Sequence, residues 1–267
     1  MARPTLRIAA RLALAVALWL ASGSRAQAAP EWIFRRLTLP RGDVALDVGL
    51  GLGHEPTFFP NGSTTGFGMN LEIAVGVTHD LELGFRTGTR IGNDGEATQA
   101  DTYGRPFDTE TYGTRFDALA NPELRATWAV AQGPAVHLGF EGRVYLPIET
   151  GSRVGVMFAV PLRLRLGAVR IDSGLYLPIL FYNPTQNIIS FPVHIWLQAS
   201  RTLWLGPLLG VRLDNPGGHT AYPLGFGLGT ALAKAIDLRM WFLFPDINHD
   251  EAARTFGAGL ALEIRFE

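Results

Sequence analysis

Few residues of this sequence are arranged for nucleophilic chemistry. Gly218-His219-Thr220 and the stretch NGSTT at 61–65 place a possible base and possible hydroxyl nucleophiles in polar surroundings. Acyl transfer requires the base to contact its nucleophile, and neither stretch carries a histidine and a serine two residues apart. We interpret His219 as a turn histidine in a glycine-rich loop, so the sequence predicts no catalytic residues.

Acidic residues and histidine are concentrated in two further polar stretches. Such groups could form an acid–base protease site or hold a divalent cation. Their spacing matches no defined calcium loop, and the absence of cysteine excludes thiol catalysis, disulfides and cysteine-ligated metals. We therefore interpret them as solvated loop charge and predict neither a metal site nor a cofactor. The first stretch contains Asp101, Asp108, Glu110 and Asp117, and the second contains Asp246, His249, Asp250 and Glu251.

The remaining charged residues follow a two-residue period. In GFGMNLEIAVGV (66–77), apolar side chains such as Leu71 and Ile73 alternate with polar or small ones such as Asn70 and Glu72. A two-residue period indicates an extended strand. After the break at 78–80 the alternation resumes, which predicts a hairpin.

The composition of the two phases indicates which one faces lipid. The polar phase mixes both charge signs and is rich in glycine, which weakens a solvated strand and so needs a steric reason. The concave wall of a narrow barrel supplies that reason, because large arginine side chains need room there. An arginine facing lipid at mid-depth would cost about 2–4 kcal/mol, and the apolar phase of these runs carries no charge. The alternative is a soluble sandwich or lipid-binding barrel, whose glycine-rich outer face would be a poor surface.

Charged and aromatic side chains of the inward phase are candidates to line the lumen. They would form either a polar, aromatic-lined passage that favours anionic or amphipathic solutes, or an ion-paired network that fills a closed interior. Trp196 and Trp204 share this phase but also flank a short turn, where they could anchor the barrel at the membrane interface. Arginines of the later strands are expected to cluster toward the periplasmic end, namely Arg163, Arg165, Arg170, Arg239 and Arg265, opposed by Glu82, Asp172 and Glu263. The further lumen candidates are Glu72, Arg86, Arg90, Glu123, Arg125, Glu141, Arg143, Tyr145, Tyr176, His194, Arg212 and Trp241.

These side chains would be positioned by strands, since no stretch has a convincing helical pattern. Short and longer, mostly polar connections alternate, as in an up-and-down barrel with both termini on one side. In hydrocarbon such a chain must close so that every backbone group is paired. The sequence thus predicts an all-β fold, a transmembrane up-and-down antiparallel β-barrel of about 12 strands. The expected strands are 42–52, 66–78, 81–91, 117–131, 135–148, 153–167, 168–181, 188–200, 202–213, 221–234, 237–246 and 254–266.

The N-terminus has the pattern of a secretory signal peptide. Three arginines precede the apolar run LALAVALWLA (12–21), and Ala26 and Ala28 have the spacing of a cleavage site. About ten apolar residues fall short of the roughly 20 needed to span a bilayer as a helix. We predict a signal peptide over 1–28, a periplasmic segment leading into the barrel over 29–41, and the barrel over 42–267. Removing the signal's four arginines leaves 19 basic and 24 acidic residues, a net charge of −5, so nucleic acid is not an expected partner.

Taken together, these features resemble a Gram-negative outer-membrane β-barrel protein. The resemblance rests on the signal-like start, the lack of cysteine, the amphipathic strands, the alternating connections and the closing strand FGAGLALEIRF (256–266). It implies a location in the cell outer membrane, contact with membrane lipid and lipopolysaccharide, and reading of the last strand by the barrel-assembly machinery. We expect a porin-like, narrow passive channel or transporter for small polar or amphipathic solutes. The alternatives are a non-conducting structural or adhesive barrel and, less favoured, a lipid-acting enzyme.

Overall fold

The protein folds into strands almost throughout the part that the computed structural model describes, which is residues 32–56, 63–91, 119–146, 154–181, 185–215, 218, 220–248 and 252–267. Two short 3-10 helices, Trp32–Phe34 and Ala252–Arg254, are the helical elements within those ranges. Among these residues no helix has the length and apolar character needed to cross a membrane. The strands are β1 (Val44–Pro56), β2 (Ser63–Gly76), β3 (Leu81–Ile91), β4 (Leu119–Gln132), β5 (Val136–Tyr145), β6 (Gly155–Leu166), β7 (Val169–Leu180), β8 (Gln186–Gln198), β9 (Leu203–Asn215), β10 (Thr220–Ala221), β11 (Leu224–Ala233), β12 (Ile236–Phe244) and β13 (Phe256–Phe266).

The strands close into an antiparallel barrel. Each long strand pairs with its neighbours in the chain, and β1 also pairs with β13. The two-residue β10 pairs with β9 in the register that β11 continues, so it extends β11 and is not a separate strand of the barrel wall. The predicted all-β, up-and-down fold of about 12 strands is therefore confirmed. The strand ends differ from prediction by a few residues: β1, for instance, extends past the predicted end at 52 to Pro56.

The two faces of the wall are the reverse of those of a soluble protein. Phe67, Trp128 and Phe158 project outward and are each more than half exposed. Glu123 and Arg143, in contrast, point inward and are only 2% and 3% exposed. This distribution agrees with an apolar belt that faces lipid and a charged interior.

One end of the barrel carries the short turns. At this short-turn end the chain enters β1, where the Gly42 amide donates to the Gly76 carbonyl oxygen at 2.8 Å. Neighbouring hairpins close nearby through bonds such as Gly133 N to Val136 O at 2.9 Å. The final strand β13 also finishes there, with Arg265 N donating to Ala235 O at 2.8 Å.

A row of alternating glycine and proline crosses half of the wall, from β5 to the start of β11. Proline has no N–H to donate to a ladder, and the β5–β6 and β7–β8 ladders are interrupted where two members of the row face each other. Between β7 and β8, for example, the ladder passes from Ser173–Val193 to Tyr176–Ser190 without a pair between. By strand register, the members of this Gly–Pro row are Gly139, Pro161, Gly174, Pro192, Gly210 and Pro223. The ladders that β1 makes with β2 and β13 have no such interruption.

Candidate functional site: the barrel lumen

Strands β2 to β5 carry a network of buried opposite charges at mid-height. Arg125 lies at its centre, with Nη2 at 2.6 Å from Glu72 Oε1 and at 2.8 Å from Glu82 Oε1. Alternation places all of these side chains inward, and pairing between neighbouring strands brings them to successive inward levels. The members of this first ion cluster are Glu72, Glu82, Arg86, Glu123, Arg125, Glu141 and Arg143.

Glu123 connects the two other arginines of the first ion cluster. It forms ion pairs with Arg86 and, at 3.3 Å, with Arg143, and Arg143 continues to Glu141 at 2.8 Å. These side chains are almost fully buried, so removing one partner would leave an uncompensated charge. The network sets three arginines against four glutamates, so its formal charges nearly balance within the wall.

A second ion cluster lies on β1, β12 and β13. Arg265 pairs with Glu263 at 2.7 Å and with the fully buried Asp237 at 3.0 Å. Arg239 pairs with Asp47 on the adjoining strand β1. The sixth member, Arg35, does not come from the wall: it lies in the segment before β1 and pairs with Asp237 and Glu263.

That preceding stretch, residues 32–40, lies inside the barrel at the short-turn end, and we call it the lumen segment. Its backbone is held by inward side chains: Leu37 N donates to His137 Nδ1 at 3.2 Å, and Leu39 N donates to Glu82 Oε2 at 2.8 Å. A side chain at Gly76 would overlap the Pro40 carbonyl oxygen. The wall thus has room for the segment because particular wall positions lack a Cβ.

Three arginines on β6 and β7, which we call the arginine row, are Arg163, Arg165 and Arg170. Asp172 is the carboxylate that contacts the row among the described residues, at 2.6 Å from both Arg163 Nε and Arg170 Nη2. Arg163 and Arg170 also donate to carbonyl oxygens of the lumen segment, at 3.0 Å to Arg35 and at 3.2 Å to Trp32. Arg165 donates to Phe34 O of the segment at 3.3 Å, but its Nη2 lies 3.0 Å from Gly133 O and from His137 Nε2 of the wall. A positive excess on this side is therefore met by neutral backbone of another part of the chain.

Trp32 of the lumen segment occupies an aromatic environment next to the arginine row. Its ring is stacked on that of Trp204, with centroids 4.8 Å apart and planes 5° apart. Trp196 meets it edge-on at 5.5 Å, and the Arg170 guanidinium lies 3.7 Å from the ring centroid. Both wall tryptophans are buried inside, so they do not act as interface anchors.

Glycines of the inward phase make room for these rings. A Cβ at Gly229 would overlap the indole of Trp204, and one at Gly259 would overlap that of Trp241. The predicted reason, room for arginine, applies at Gly84, where a Cβ would lie 3.1 Å from Arg125. Indoles account for Gly229 and Gly259 and the lumen segment for Gly76, and a count of residue types cannot separate these cases from that of Gly84.

A cavity of about 450 Å³ remains beside the lumen segment. It is lined by members of both ion clusters, by Arg163 and Arg170, and by Trp196 and Trp241. A solute within it would meet fixed charges of both signs and the faces of indole rings.

The predicted lumen residues are divided among these groups. The arginines expected in one cluster lie on opposite sides of the barrel, because β6–β7 and β12–β13 are separated by several strands in each direction. Glu82 pairs with Arg125 instead of with those arginines. Tyr145 and Tyr176 pack together with Met157. His194 lies 6.3 Å from Trp196 between ring centroids.

Two predicted lumen residues lie outside these groups, and some residues of the lumen were not predicted. Arg212 is half-buried and faces Ser190 in register, while the side chain of Arg90 lies outside the described set. Sequence reasoning missed Asp47 and Asp237, although both occupy the inward phase of their strands and their alternation would have identified them. It also missed Trp32 and Arg35, whose segment has no periodicity.

The residues considered for catalysis or metal binding lie almost entirely outside the described part of the chain. This applies to His219 and to both acidic stretches apart from Asp246, whose Oδ1 accepts a hydrogen bond from Tyr222 N at 3.0 Å. Within the described residues, no group of three or more histidine or acidic side chains could hold a metal ion. In the lumen segment, burial lowers the pKa of the Arg35 guanidinium, and Asp237 and Glu263 oppose that shift.

Comparison with known proteins reveals a likeness of fold and none of sequence. No protein-family model matches the chain, and no curated protein matches it. Among solved structures, the NanC porin is similar with a TM-score of 0.56 at 7% identity, covering 83% of this chain and 99% of the porin. An outer-membrane channel from Pseudomonas putida F1 has a TM-score of 0.56 at 11% identity, covering 91% of this chain and 100% of that channel. The KdgM porin has a TM-score of 0.55 at 8% identity, with 84% and 99% covered. The chain therefore has the closed antiparallel β-barrel fold of Gram-negative outer-membrane porins and channels.

Proposed function

We propose that this protein is a narrow passive channel of the outer membrane for small polar or amphipathic solutes. The observation that carries the proposal is the inverted barrel, apolar outside and charged inside, with a cavity of about 450 Å³ within its wall. Its fold likeness to porins and channels supports the same conclusion. No enzymatic function is proposed.

The lumen lining supports the solute class. Arg163 and Arg170 offer cationic hydrogen-bond donors, Glu72 offers a carboxylate, and Trp196 and Trp241 offer apolar ring surface, all on one cavity. Selectivity in such pores follows from diameter and from the charges and donors of the lining. The lining therefore suits solutes that combine a polar or charged group with an apolar part.

The proposal includes the route by which the protein reaches the membrane. Residues 1–28 would be removed as a signal peptide, residues 29–41 would remain at the periplasmic side, and the barrel-assembly machinery would insert residues 42–267. The apolar outer belt would then contact membrane lipid and lipopolysaccharide. On this view the short-turn end, where the lumen segment lies, is the periplasmic end.

Planar-bilayer recording of the purified mature protein tests the channel directly. We expect discrete conductance steps, and we expect Arg163→Glu to shift the reversal potential toward cations in a salt gradient. Trp128→Ala, on the lipid-facing surface, is the matched control and should leave the reversal potential unchanged. Persistent absence of steps from protein that is folded in lipid would contradict the proposal.

A second candidate function is a non-conducting barrel that stabilises the envelope or binds partners through its outer loops. The packing of the lumen segment against His137, Glu82 and Trp204 supports it, because that segment reduces the open section at the short-turn end. The same recordings separate the two candidates, since a non-conducting barrel gives no steps with or without residues 32–40.

A further inference from the structure

Trp32 is held in the lumen in the manner of a bound planar ligand. We define the ring seat as Trp204, which stacks on the Trp32 ring, Trp196, which meets its edge, and Arg170, whose guanidinium lies over it. Stacking and cation–π contacts recognise a ring by its π-face, and any aromatic ring of similar size presents such a face. Gly229 makes room for the Trp204 ring, because a side chain at that position would occupy the space of the indole.

The arginine row lies beside the ring seat, and it donates to neutral backbone oxygens that an anion could replace. Asp172 is the described carboxylate that pairs with Arg163 and Arg170. Backbone carbonyl oxygens take the other donors: Trp32 O from Arg170 at 3.2 Å and Arg35 O from Arg163 at 3.0 Å. Guanidinium groups make stronger, often bidentate bonds to carboxylates than to neutral oxygens. A solute carboxylate placed there would improve on both bonds.

We propose that the lumen segment is an internal occupant of a solute site for a planar aromatic ring that bears a carboxylate. The ring takes the place of Trp32 on Trp204, and the carboxylate takes the place of the carbonyl oxygens on Arg170 and Arg163. The inference rests on the proposed channel, whose substrate class it names. Displacement needs no opening of the wall, because Trp32, Arg163, Arg170 and Trp196 all line the same cavity.

An internal occupant lowers the apparent affinity for a solute, because only the fraction of molecules with a vacant seat can bind. Removing the Trp32 ring should therefore strengthen solute binding, which is the reverse of what a purely structural tryptophan predicts. The charge and the flat ring should each be necessary, since the site has separate elements for them.

Calorimetric titration of the folded protein in detergent with benzoate tests the site. We expect Trp32→Ala to lower the Kd for benzoate by about tenfold relative to wild type. Adding Trp204→Ala to that variant should abolish the gain, and Trp204→Phe should restore part of it. Cyclohexanecarboxylate, which keeps the charge without the flat ring, and benzyl alcohol, which keeps the ring without the charge, should each bind about tenfold more weakly than benzoate to Trp32→Ala.

Trp128→Ala is the control for loss of a tryptophan elsewhere, and its benzoate affinity should equal that of wild type. Heat-modified gel migration verifies that each variant is folded. Equal benzoate affinity in wild type and Trp32→Ala, or equal binding of all three probes, overturns the site. Conductance steps without any gain in benzoate affinity would reject this inference and leave the channel standing. A gain in benzoate affinity without conductance would support the solute site and reject the channel.

Discussion

The two sides of the barrel balance charge in different ways. On β2 to β5, the first ion cluster neutralises its arginines with carboxylates of the same wall, and all of these side chains are buried. On β6 and β7, the arginine row depends on Asp172 and on carbonyl oxygens of the lumen segment. The arginines of the first side have carboxylate partners in the wall, whereas Arg163 and Arg170 of the second side also depend on the segment.

The continuity of the backbone ladders also differs around the barrel. Pairing of β1 with its neighbours runs without interruption, while the β5–β6 and β7–β8 ladders each skip the pair in which both residues belong to the Gly–Pro row. The carbonyl partners of Arg163 and Arg170 belong to the lumen segment and are replaceable, so we expect binding to change the contacts of the wall on the β6–β7 side. From this comparison we expect ion-pair stability to reside mainly on the β2–β5 side and, under the proposed function, solute recognition to reside on the β6–β7 side.

The largest effect should come from breaking the self-contained side. Glu123→Gln removes the carboxylate shared by Arg86 and Arg143, which would leave two buried guanidinium groups with a neutral partner. Breaking a buried pair costs about 3–5 kcal/mol, and we expect a loss of that order in the free energy of unfolding. Urea unfolding in lipid vesicles, followed by tryptophan fluorescence, measures it.

The matched variant on the other side is Asp172→Asn. The Asp172 side chain is 23% exposed, and an asparagine there keeps amide contacts to Arg163 and Arg170. The expected loss in the free energy of unfolding is therefore about 1–2 kcal/mol. An equal loss for both variants would remove the distinction between the two sides.

An effect below that of Glu123→Gln should follow from crowding the ring seat. Gly229→Ala places a Cβ where the Trp204 indole lies, so the indole must shift and its stack with Trp32 must loosen. Overpacking of this kind costs about 1–3 kcal/mol. Gly142→Ala is the control, because a Cβ there meets nothing within 4 Å. Red-shifted tryptophan emission in Gly229→Ala alone is the expected result, and matching spectra for the two variants would contradict it.

The sequence predicted the wall better than the contents of the lumen. Alternation in stretches such as 66–77 determines which side chains face inward, and it identifies Glu72 and Arg125 as members of the inward phase of their strands. The lumen segment could not be predicted, since Trp32 and Arg35 follow no period and their partners are on β9 and β12, far along the chain. For the same reason the glycines under the indoles could not be told from those beside arginine.

A weaker effect still should come from loosening the lumen segment. Arg35→Gln removes one cation from Asp237, which keeps Arg265 at 3.0 Å. We expect the barrel to stay intact and the segment to lose about 1.5 kcal/mol of attachment, in the range for hydrogen bonds to charged groups. Faster cleavage within the segment by a protease added to the short-turn side measures this. Unchanged cleavage would indicate that Trp32 and the arginine row suffice to hold the segment.

The smallest effect is expected at the rim, where Lys234 Nζ lies 2.6 Å from Glu267 Oε2. Their hydrogen bond and charge attraction lower the pKa of the Glu267 carboxyl. Any stabilisation from the pair is therefore present at neutral pH and lost as pH falls through the range of that carboxyl. Both side chains are more than half exposed, so water screens the pair and Lys234→Ala should leave the urea midpoint at neutral pH unchanged. A clear drop in the urea midpoint would mean that this exposed rim pair stabilises the barrel as the buried first ion cluster does. Burial would then not explain the difference between the two sides.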